Sequence, residues 1–238
     1  MHIPDYLETL DRFELGWMRK GGDLQIKNGD IALTLDGDLQ LGDSHFNSLF
    51  RLIERWRHNQ PTLDVLYASM LGASDSLDDM QEARDRGNGA LLSQNPAAYH
   101  HETAEIMGYE SASSVYAGSI VVVLNNMLQR LRKDLGASED DWKSAGPMFS
   151  NYSAGSVITA AANNFRHHDE WARANSAAGQ QLASMEVLCA VIRQPVQDRH
   201  GHPSIRTNVC KEVLLAISDG SVDRLHNVIF EFSRALAK

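Results

Sequence analysis

The chain has 238 residues, of which 43% are hydrophobic and 22% charged, an ordinary composition for a globular protein. Its formal net charge of −9 argues against broad, nonspecific binding to nucleic acid. No apolar run reaches membrane-spanning length, and the acidic N-terminus lacks the basic and apolar regions of a signal peptide. We therefore expect a cytoplasmic protein without membrane association, with Cys189 and Cys210 reduced and buried.

The acidic residues are concentrated near the N-terminus. Residues 1–43 carry nine of the 31 acids against four lysines and arginines, which leaves 22 acids against 18 cations in the remainder. The long C-terminal part is thus only mildly acidic, so a local basic site is compatible with its charge.

The N-terminal segment is predicted to form a small appendage over residues 1–43. An amphipathic helix over Pro4–Lys20 precedes residues 23–41, in which apolar and polar side chains alternate. Asn28-Gly29 indicates a two-residue hairpin, and a three-residue turn is favoured around Asp36-Gly37. The pattern predicts a three-stranded antiparallel β-meander whose apolar face packs on a helix. That face holds Leu24, Ile26, Ile31, Leu33, Leu35, Leu39 and Leu41.

The helical period returns at residue 43 and persists, which predicts a mainly α helical bundle over residues 44–238. The polar segment 73–95 is expected to be a loop with a frayed helix at residues 76–86, and residues 137–152 are expected to be a linker. The expected helices are one beginning at Ser44, then Pro61–Leu71, Pro96–Met107, Ser113–Leu135, Ser153–Ala174, Gln180–Arg193, Ser204–Ser218, and one from Ser221 to the C-terminus.

The helix Ser153–Ala174 has the highest density of groups that can carry chemistry. Residues 163–171 read NNFRHHDEW. At 100° per residue, Asn164, His168 and Trp171 should form a semi-buried flank, whereas Arg166 and Glu170 should form an exposed pair. His167 and Asn163 should point away from the core.

The segment resembles the HEPN superfamily, whose members are mostly ribonucleases of toxin, abortive-infection and antiviral systems. The resemblance covers residues 116–238 and rests on a bundle helix with a polar residue and a histidine about one turn apart, after a long apolar helix. The family motif is an arginine followed by four to six residues and a histidine. Asn163-x4-His168 keeps that spacing without the guanidinium, because only alanine and asparagine precede these histidines at the required distance.

The resemblance implies metal-independent RNA cleavage, with no cofactor, in a bacterial or phage defence or toxin setting. It also implies a homodimer whose composite site receives its arginine from the partner chain, and a partner such as an antitoxin. His168 is the preferred base or acid and Asn164 would orient it, while Arg166 would contact phosphate and His167 is a second candidate. Asn163 completes the predicted site.

Other interpretations of the same residues remain open at this point. His168 bonded to Asn164 beneath Trp171 would be a purely structural helix edge, and the protein would then be a noncatalytic interaction or regulatory module. The literal arginine–histidine pattern also occurs at Arg51…His58 and Arg193…His200, matches that chance alone can produce.

Two further candidates are a metal site and a basic patch. A metal could be held if the histidine pairs of three segments converged, and these pairs are His100-His101, His167-His168 and His200-x-His202. The patch consists of Arg51, Arg55 and Arg57 around Trp56. The β-meander is a third candidate, because it could be an interaction or dimerisation edge.

Overall fold

The computed structural model describes residues 2–34, 37–87, 89–91 and 93–238. Within these residues the mainly α fold is confirmed, and its strands are limited to two short antiparallel pairs. The helices are α1 (Tyr6–Arg12), α2 (Ser44–Asp85), α3 (Pro96–Leu135), α4 (Glu139–Ser144), α5 (Ala154–Arg173), α6 (Gly179–Val191), α7 (Cys210–Ser218) and α8 (Val222–Leu236). The strand pairs are β1 (Ile26–Lys27) with β2 (Asp30–Ile31) and β3 (Met148–Phe149) with β4 (Tyr152–Ser153).

The long antiparallel neighbours α2 and α3 are each continuous where the sequence predicts a break. Helix α2 runs for 42 residues straight through Pro61, which lacks the N–H of an ordinary helical residue. Buried Leu63 and Tyr67, followed by Ala73 and Leu77, continue its apolar stripe beyond the proline. The helix expected at residues 76–86 is thus present as the end of α2, and the predicted loop over residues 73–75 is wrong, because packing against α3 outweighs the weak local propensity.

Helix α3 has the length and composition of a membrane span. It has 40 residues, and its most apolar 18-residue window has a mean hydropathy of 1.2, with half of that window buried inside the structure. The buried helix of a globular core passes the same test. Gly136 ends the helix in the left-handed conformation that the sequence predicts there.

The core lies between α2, α3, α5, α7 and α8, and the N-terminal helix α1 packs on it. The Phe13 ring stacks on Phe230 of α8 with centroids 3.6 Å apart, and it meets Trp56 of α2 edge-on at 6.0 Å. Helix α1 ends at Arg12, and a 3₁₀ turn over Gly16–Lys20 follows, so the single helix expected over Pro4–Lys20 is divided. The domain boundary at residue 43 remains a prediction.

The first hairpin of the N-terminal segment is confirmed. Ile26 pairs with Ile31, and both residues of the Asn28-Gly29 turn have positive φ, as a type I′ turn requires. The third segment, however, adds only the isolated bridges Leu24–Leu41 and Leu33–Leu39. The regular three-stranded meander is therefore wrong. Leu35 and Asp36, which belong to the predicted strand and turn, lie outside the described residues.

The three N-terminal segments close on one another instead of forming an open sheet. The Gln25 N–H donates to the Gln40 carbonyl, Gln40 donates to Ala32, and Ala32 donates to Gln25, at 2.9–3.0 Å. Ala32 is buried, whereas the alternating aliphatic side chains are exposed. These exposed side chains are Leu24, Ile26, Ile31, Leu33 and Leu39, which we call the aliphatic cap. The expected packing of this face on a helix is wrong for these five side chains, whereas Leu41 packs against the core.

The predicted linker over residues 137–152 contains α4 and the β3–β4 hairpin. Ser138 and Asp141 form a capping box, and the buried Trp142 meets Phe232 of α8 edge-on at 5.1 Å. Ser138-x-x-Asp141 before an aromatic residue is the signal that the sequence analysis missed. Helix α7 begins at Cys210 and not at Ser204, while Cys189 and Cys210 are buried free thiols, as predicted.

Candidate functional site

Helix α5 begins and ends within one residue of its predicted bounds. The Ser153 hydroxyl accepts from the Ser156 N–H at 3.1 Å and donates to the Trp142 carbonyl at 2.7 Å, which ties the helix start to α4. On its inner face Val157, Ile158 and Ala161 are fully buried. The predicted site residues project from α5 in several directions, because successive residues of a helix diverge by about 100°.

Asn164 is a structural residue in the core. Its side chain is fully buried, its amide nitrogen donates to the Thr207 carbonyl at 3.1 Å, and its oxygen accepts from the Val209 N–H at 2.9 Å. Both polar ends are thus used to hold the segment before α7. The expectation that Asn164 orients His168 is wrong, because the amide is committed to backbone groups 43 and 45 residues away.

His168 lies about 100° around α5 from His167, beside Phe165. Its Nδ1 is 2.9 Å from the Phe165 carbonyl, and its ring is nearly parallel to the Phe165 ring at 6.5 Å. Phe165 in turn packs over Gly118 of α3, where an added Cβ would come within 2.0 Å of the Phe165 ring. His168 is half-buried, with Nε2 3.6 Å from Asp169. Its polar and ring contacts with described residues are local to its own helix.

His167 and Asn163 line a cleft of about 230 Å³ between α5 and α6. His167 Nδ1 lies 3.3 Å from Glu170 Oε2, and the Asn163 amide donates to the Ser184 hydroxyl at 3.3 Å. The nitrogen of the Gln181 side chain is buried there without a hydrogen-bond partner. The remaining lining residues are Trp171 and Gln180. We call this the α5–α6 cleft.

The predicted ion pair between Arg166 and Glu170 is wrong. Glu170 contacts His167, one turn earlier on the adjacent flank, while Arg166 is exposed and makes no ion pair with a described residue. The lining of the α5–α6 cleft holds no lysine or arginine. The predicted flank of Asn164, His168 and Trp171 is also divided, because Asn164 and Trp171 are buried and His168 remains half exposed.

The α5–α6 cleft combines an imidazole–carboxylate pair with unused hydrogen-bond donors. When Glu170 accepts from Nδ1–H of His167, Nε2 is left as an acceptor that can take a proton from a substrate hydroxyl. The Gln181 nitrogen and the second Asn163 N–H can donate to an oxygen that gains negative charge. The arrangement can therefore perform acid–base chemistry on an oxygen-rich substrate.

The histidine pairs do not come together as a metal site. His100 and His101 lie at the start of α3, His167 and His168 lie on α5, and His200 and His202 lie in the loop after α6. In the part of the chain that the structure describes, no group of three or more His, Cys, Asp or Glu side chains is placed to hold a metal.

In the loop after α6, Asp198 accepts from the backbone N–H groups of His202 and His200, and these hydrogen bonds lower the Asp198 pKa.

The basic patch predicted around Trp56 is largely neutralised, because each of its three arginines pairs with a carboxylate. Trp56 is fully buried, Arg51 pairs with Asp38, and Arg57 pairs with Glu54 at 2.7 Å. Arg55 pairs with Asp134 of α3 at 3.0 Å and also borders a groove on the surface. The literal pattern Arg51…His58 therefore lacks a free guanidinium. The second match, Arg193…His200, lies in the segment after α6 and not on an unbroken helix.

A buried cluster around His226 was missed by the sequence analysis. His226 of α8 has 1% of its side chain exposed, and its Nε2 lies 3.1 Å from Asp64 Oδ1 without hydrogen-bond alignment. Nδ1 accepts from Arg12 at 3.0 Å, so the ring is neutral with its proton on Nε2. Burial, and then the Arg12 charge, lower the pKa of His226 to about 4, while burial raises the pKa of Asp64. No local pattern joins residues 162 positions apart.

Comparison with known proteins assigns the chain to no family. No protein-family model matches the sequence, and neither a curated protein nor a solved structure is detectably similar to the chain.

Proposed function

We propose that this protein is a metal-independent, HEPN-like ribonuclease of the cytoplasm, in a bacterial or phage defence or toxin system. The observation that carries the proposal is the solvent-accessible His167–Glu170 pair in the α5–α6 cleft. His167, and not His168, is the proposed base, because His167 alone of the two lines this cleft with donors beside it.

In the proposed reaction, His167 Nε2 takes the proton of a ribose 2′-hydroxyl. The 2′-oxygen then attacks the neighbouring phosphorus, and the bond from phosphorus to the 5′-oxygen breaks. The leaving 5′-oxygen takes a proton from water, which yields a 2′,3′-cyclic phosphate and a 5′-hydroxyl. Glu170 holds the imidazole, and the amides of Asn163 and Gln181 donate to the phosphoryl oxygens. Such acid–base catalysis is worth roughly 10²–10⁴-fold in rate.

The proposal includes a homodimer, because the cleft lacks the cation that phosphoryl chemistry favours. Arg166 is exposed on α5 without an ion-pair partner among the described residues. In the proposed dimer, Arg166 of each copy enters the cleft of the other, and it stabilises the charge on the phosphate there.

The test is cleavage of a fluorogenic single-stranded RNA by the purified protein in EDTA. We expect cleavage by the wild type, a loss of at least about 100-fold in His167→Ala, and little change in the matched control His168→Ala. A folded protein that cleaves no RNA would refute the ribonuclease, as would cleavage that His167→Ala retains.

The composite site has a separate test in mixed chains. Arg166→Ala and His167→Ala are each expected to be inactive, and mixing them should restore part of the activity, because heterodimers contain one intact site. If mixing restores nothing while the wild type is active, each chain has its own complete site.

A noncatalytic regulatory module is the second candidate, and the aliphatic cap favours it. Its side chains remain 42–62% exposed, and the acids Asp23 and Asp30 lie beside them. Since residues 1–43 carry nine acids against four cations, a basic protein with an apolar centre, such as an antitoxin, fits this surface. A purified partner that loses at least about tenfold in affinity for Ile26→Ser, measured by calorimetry, would support this candidate.

A further inference from the structure

A second, larger concavity lies outside the α5–α6 cleft, on the surface between the N-terminal half of α2 and the C-terminal half of α3. It is an open groove of about 680 Å³. Its polar lining consists of Arg55 and Asn59 from α2 and of Asn126, Gln129, Arg130 and Lys133 from α3. We call it the basic groove.

The positions of these side chains follow from helical spacing. On α3, Asn126, Arg130 and Lys133 are separated by four and three residues, so they form one stripe about 10 Å long. On α2, Arg55 and Asn59 are four residues apart and form the facing stripe, with the Asn59 amide donating to the Arg55 carbonyl at 2.7 Å. The two stripes border the same groove.

The charge of the basic groove is opposite to that of the whole chain. Three cationic side chains line it in a protein with a net charge of −9, and one of them, Arg55, is paired with Asp134 at 3.0 Å. Arg130 is exposed and makes no hydrogen bond or ion pair with another described residue. Guanidinium and ammonium groups offer donors only, so the matching ligand is an anion with several acceptor oxygens.

The basic groove is joined to the α5–α6 cleft by a polar stripe. Gln129, which lines the groove, donates to the Thr159 hydroxyl of α5 at 3.1 Å. Thr159, Asn163 and His167 follow at intervals of four residues along one side of α5, and the last two line the cleft. The distance along the helix from Thr159 to His167 is about 12 Å.

We propose that the basic groove binds the phosphate backbone of single-stranded RNA and leads the strand past Thr159 to His167. This inference rests on the proposed ribonuclease function and names the surface that holds its substrate. An open groove with cations on both walls suits an extended polyanion better than a small enclosed ligand.

The test measures RNA binding separately from RNA cleavage. Fluorescence anisotropy with a 5′-labelled oligoribonucleotide is carried out in EDTA on the His167→Ala background, in which the RNA stays intact. We expect Arg130→Glu to weaken binding at least tenfold and to reduce the slope of log K against log salt by about 1. The matched control is Arg224→Glu on α8, another exposed arginine whose side chain makes no hydrogen bond or ion pair with a described residue, and it should stay within twofold.

The outcomes test RNA binding by the basic groove separately from the proposed ribonuclease activity. Groove-dependent binding without cleavage by the wild type would leave the groove standing and refute the ribonuclease. Cleavage by the wild type with binding unchanged in Arg130→Glu, or equally weakened in Arg224→Glu, would refute the groove alone. A mononucleotide or inorganic phosphate that binds as tightly as the oligonucleotide at equal ionic strength would overturn the polynucleotide assignment.

Discussion

Two histidine–carboxylate pairs in this protein have nearly the same nitrogen–oxygen distance and opposite surroundings. His167 lies 3.3 Å from Glu170 on the surface of α5, and His226 lies 3.1 Å from Asp64 with almost none of its side chain exposed. Arg12 occupies the second nitrogen of His226, whereas no cation lines the cleft of His167. The comparison teaches that a reactive pair requires a free nitrogen and access for a substrate, and not merely a short distance.

The largest expected effect is on stability, at the buried pair. His226→Ala should lower the free energy of unfolding by about 3–5 kcal/mol, because it removes a fully buried ring packed on Trp56 and the acceptor of one Arg12 hydrogen bond. Urea denaturation measures this change, and His167→Ala is the matched variant, with an expected change within about 0.5 kcal/mol. Equal losses in the two variants would contradict the distinction between the pairs.

The pH dependence of stability should report the same buried pair. The folded-state pKa of His226, about 4, lies below the ordinary value of 6.5, so between these values only the unfolded chain binds the proton. Stability should therefore fall as the pH is lowered from 6.5 to 4, by on the order of 3 kcal/mol from this residue. The groups facing His226 are Arg12, Asp223 and Asp64, and the raised pKa of Asp64 offsets part of the loss.

His226→Gln is the control for this titration, with urea denaturation at each pH as the measurement. The variant should flatten the curve between pH 6.5 and 4. A slope that persists unchanged in His226→Gln would assign the proton uptake to another group.

A third histidine, His168, lies beside Phe165, whose ring packs against Gly118 of α3. Gly118→Ala would place a methyl group 2.0 Å from the Phe165 ring beside His168, so either the Phe165 side chain or the packing of α3 on α5 must shift. We expect a loss of about 1–3 kcal/mol of unfolding free energy. Gly108→Ala, on the same helix with open space around its Cβ, is the control and should not destabilise. Thermal unfolding of both variants measures the two changes in stability, and equal losses would contradict the expected difference between the two glycines.

The smallest effect is expected at the exposed carboxylate. Glu170→Gln should slow RNA cleavage about tenfold, equivalent to about 1.4 kcal/mol, because the imidazole loses the carboxylate that holds it. Stability should be unchanged, since Glu170 is exposed. Single-turnover cleavage by Glu170→Gln and by its neighbour Asp169→Asn is the measurement. An equal loss in Asp169→Asn would indicate a general charge effect and not the pair.

Part of the fold was predictable because local patterns carried it. The N-cap at Ser153, the hairpin at Asn28-Gly29 and the cap at Ser221 are formed by residues close together in sequence. The continuous helices through Pro61 and through residue 108 were not predictable, because the packing between α2 and α3 outweighs a proline and a glycine there. The closed N-terminal segment depends on a third segment whose pairing no local period specifies.

The sequence by itself determined the mainly α class, the buried free cysteines and the helix that carries the candidate residues, since hydrophobic period and capping residues act within a few turns of chain. Only the tertiary structure decided what each of those residues does. Asn164 is held by Thr207 and Val209, and His167 faces α6 across a cleft. The buried partners of His226 come from helices that are distant in the chain, because burial and pairing arise when helices pack.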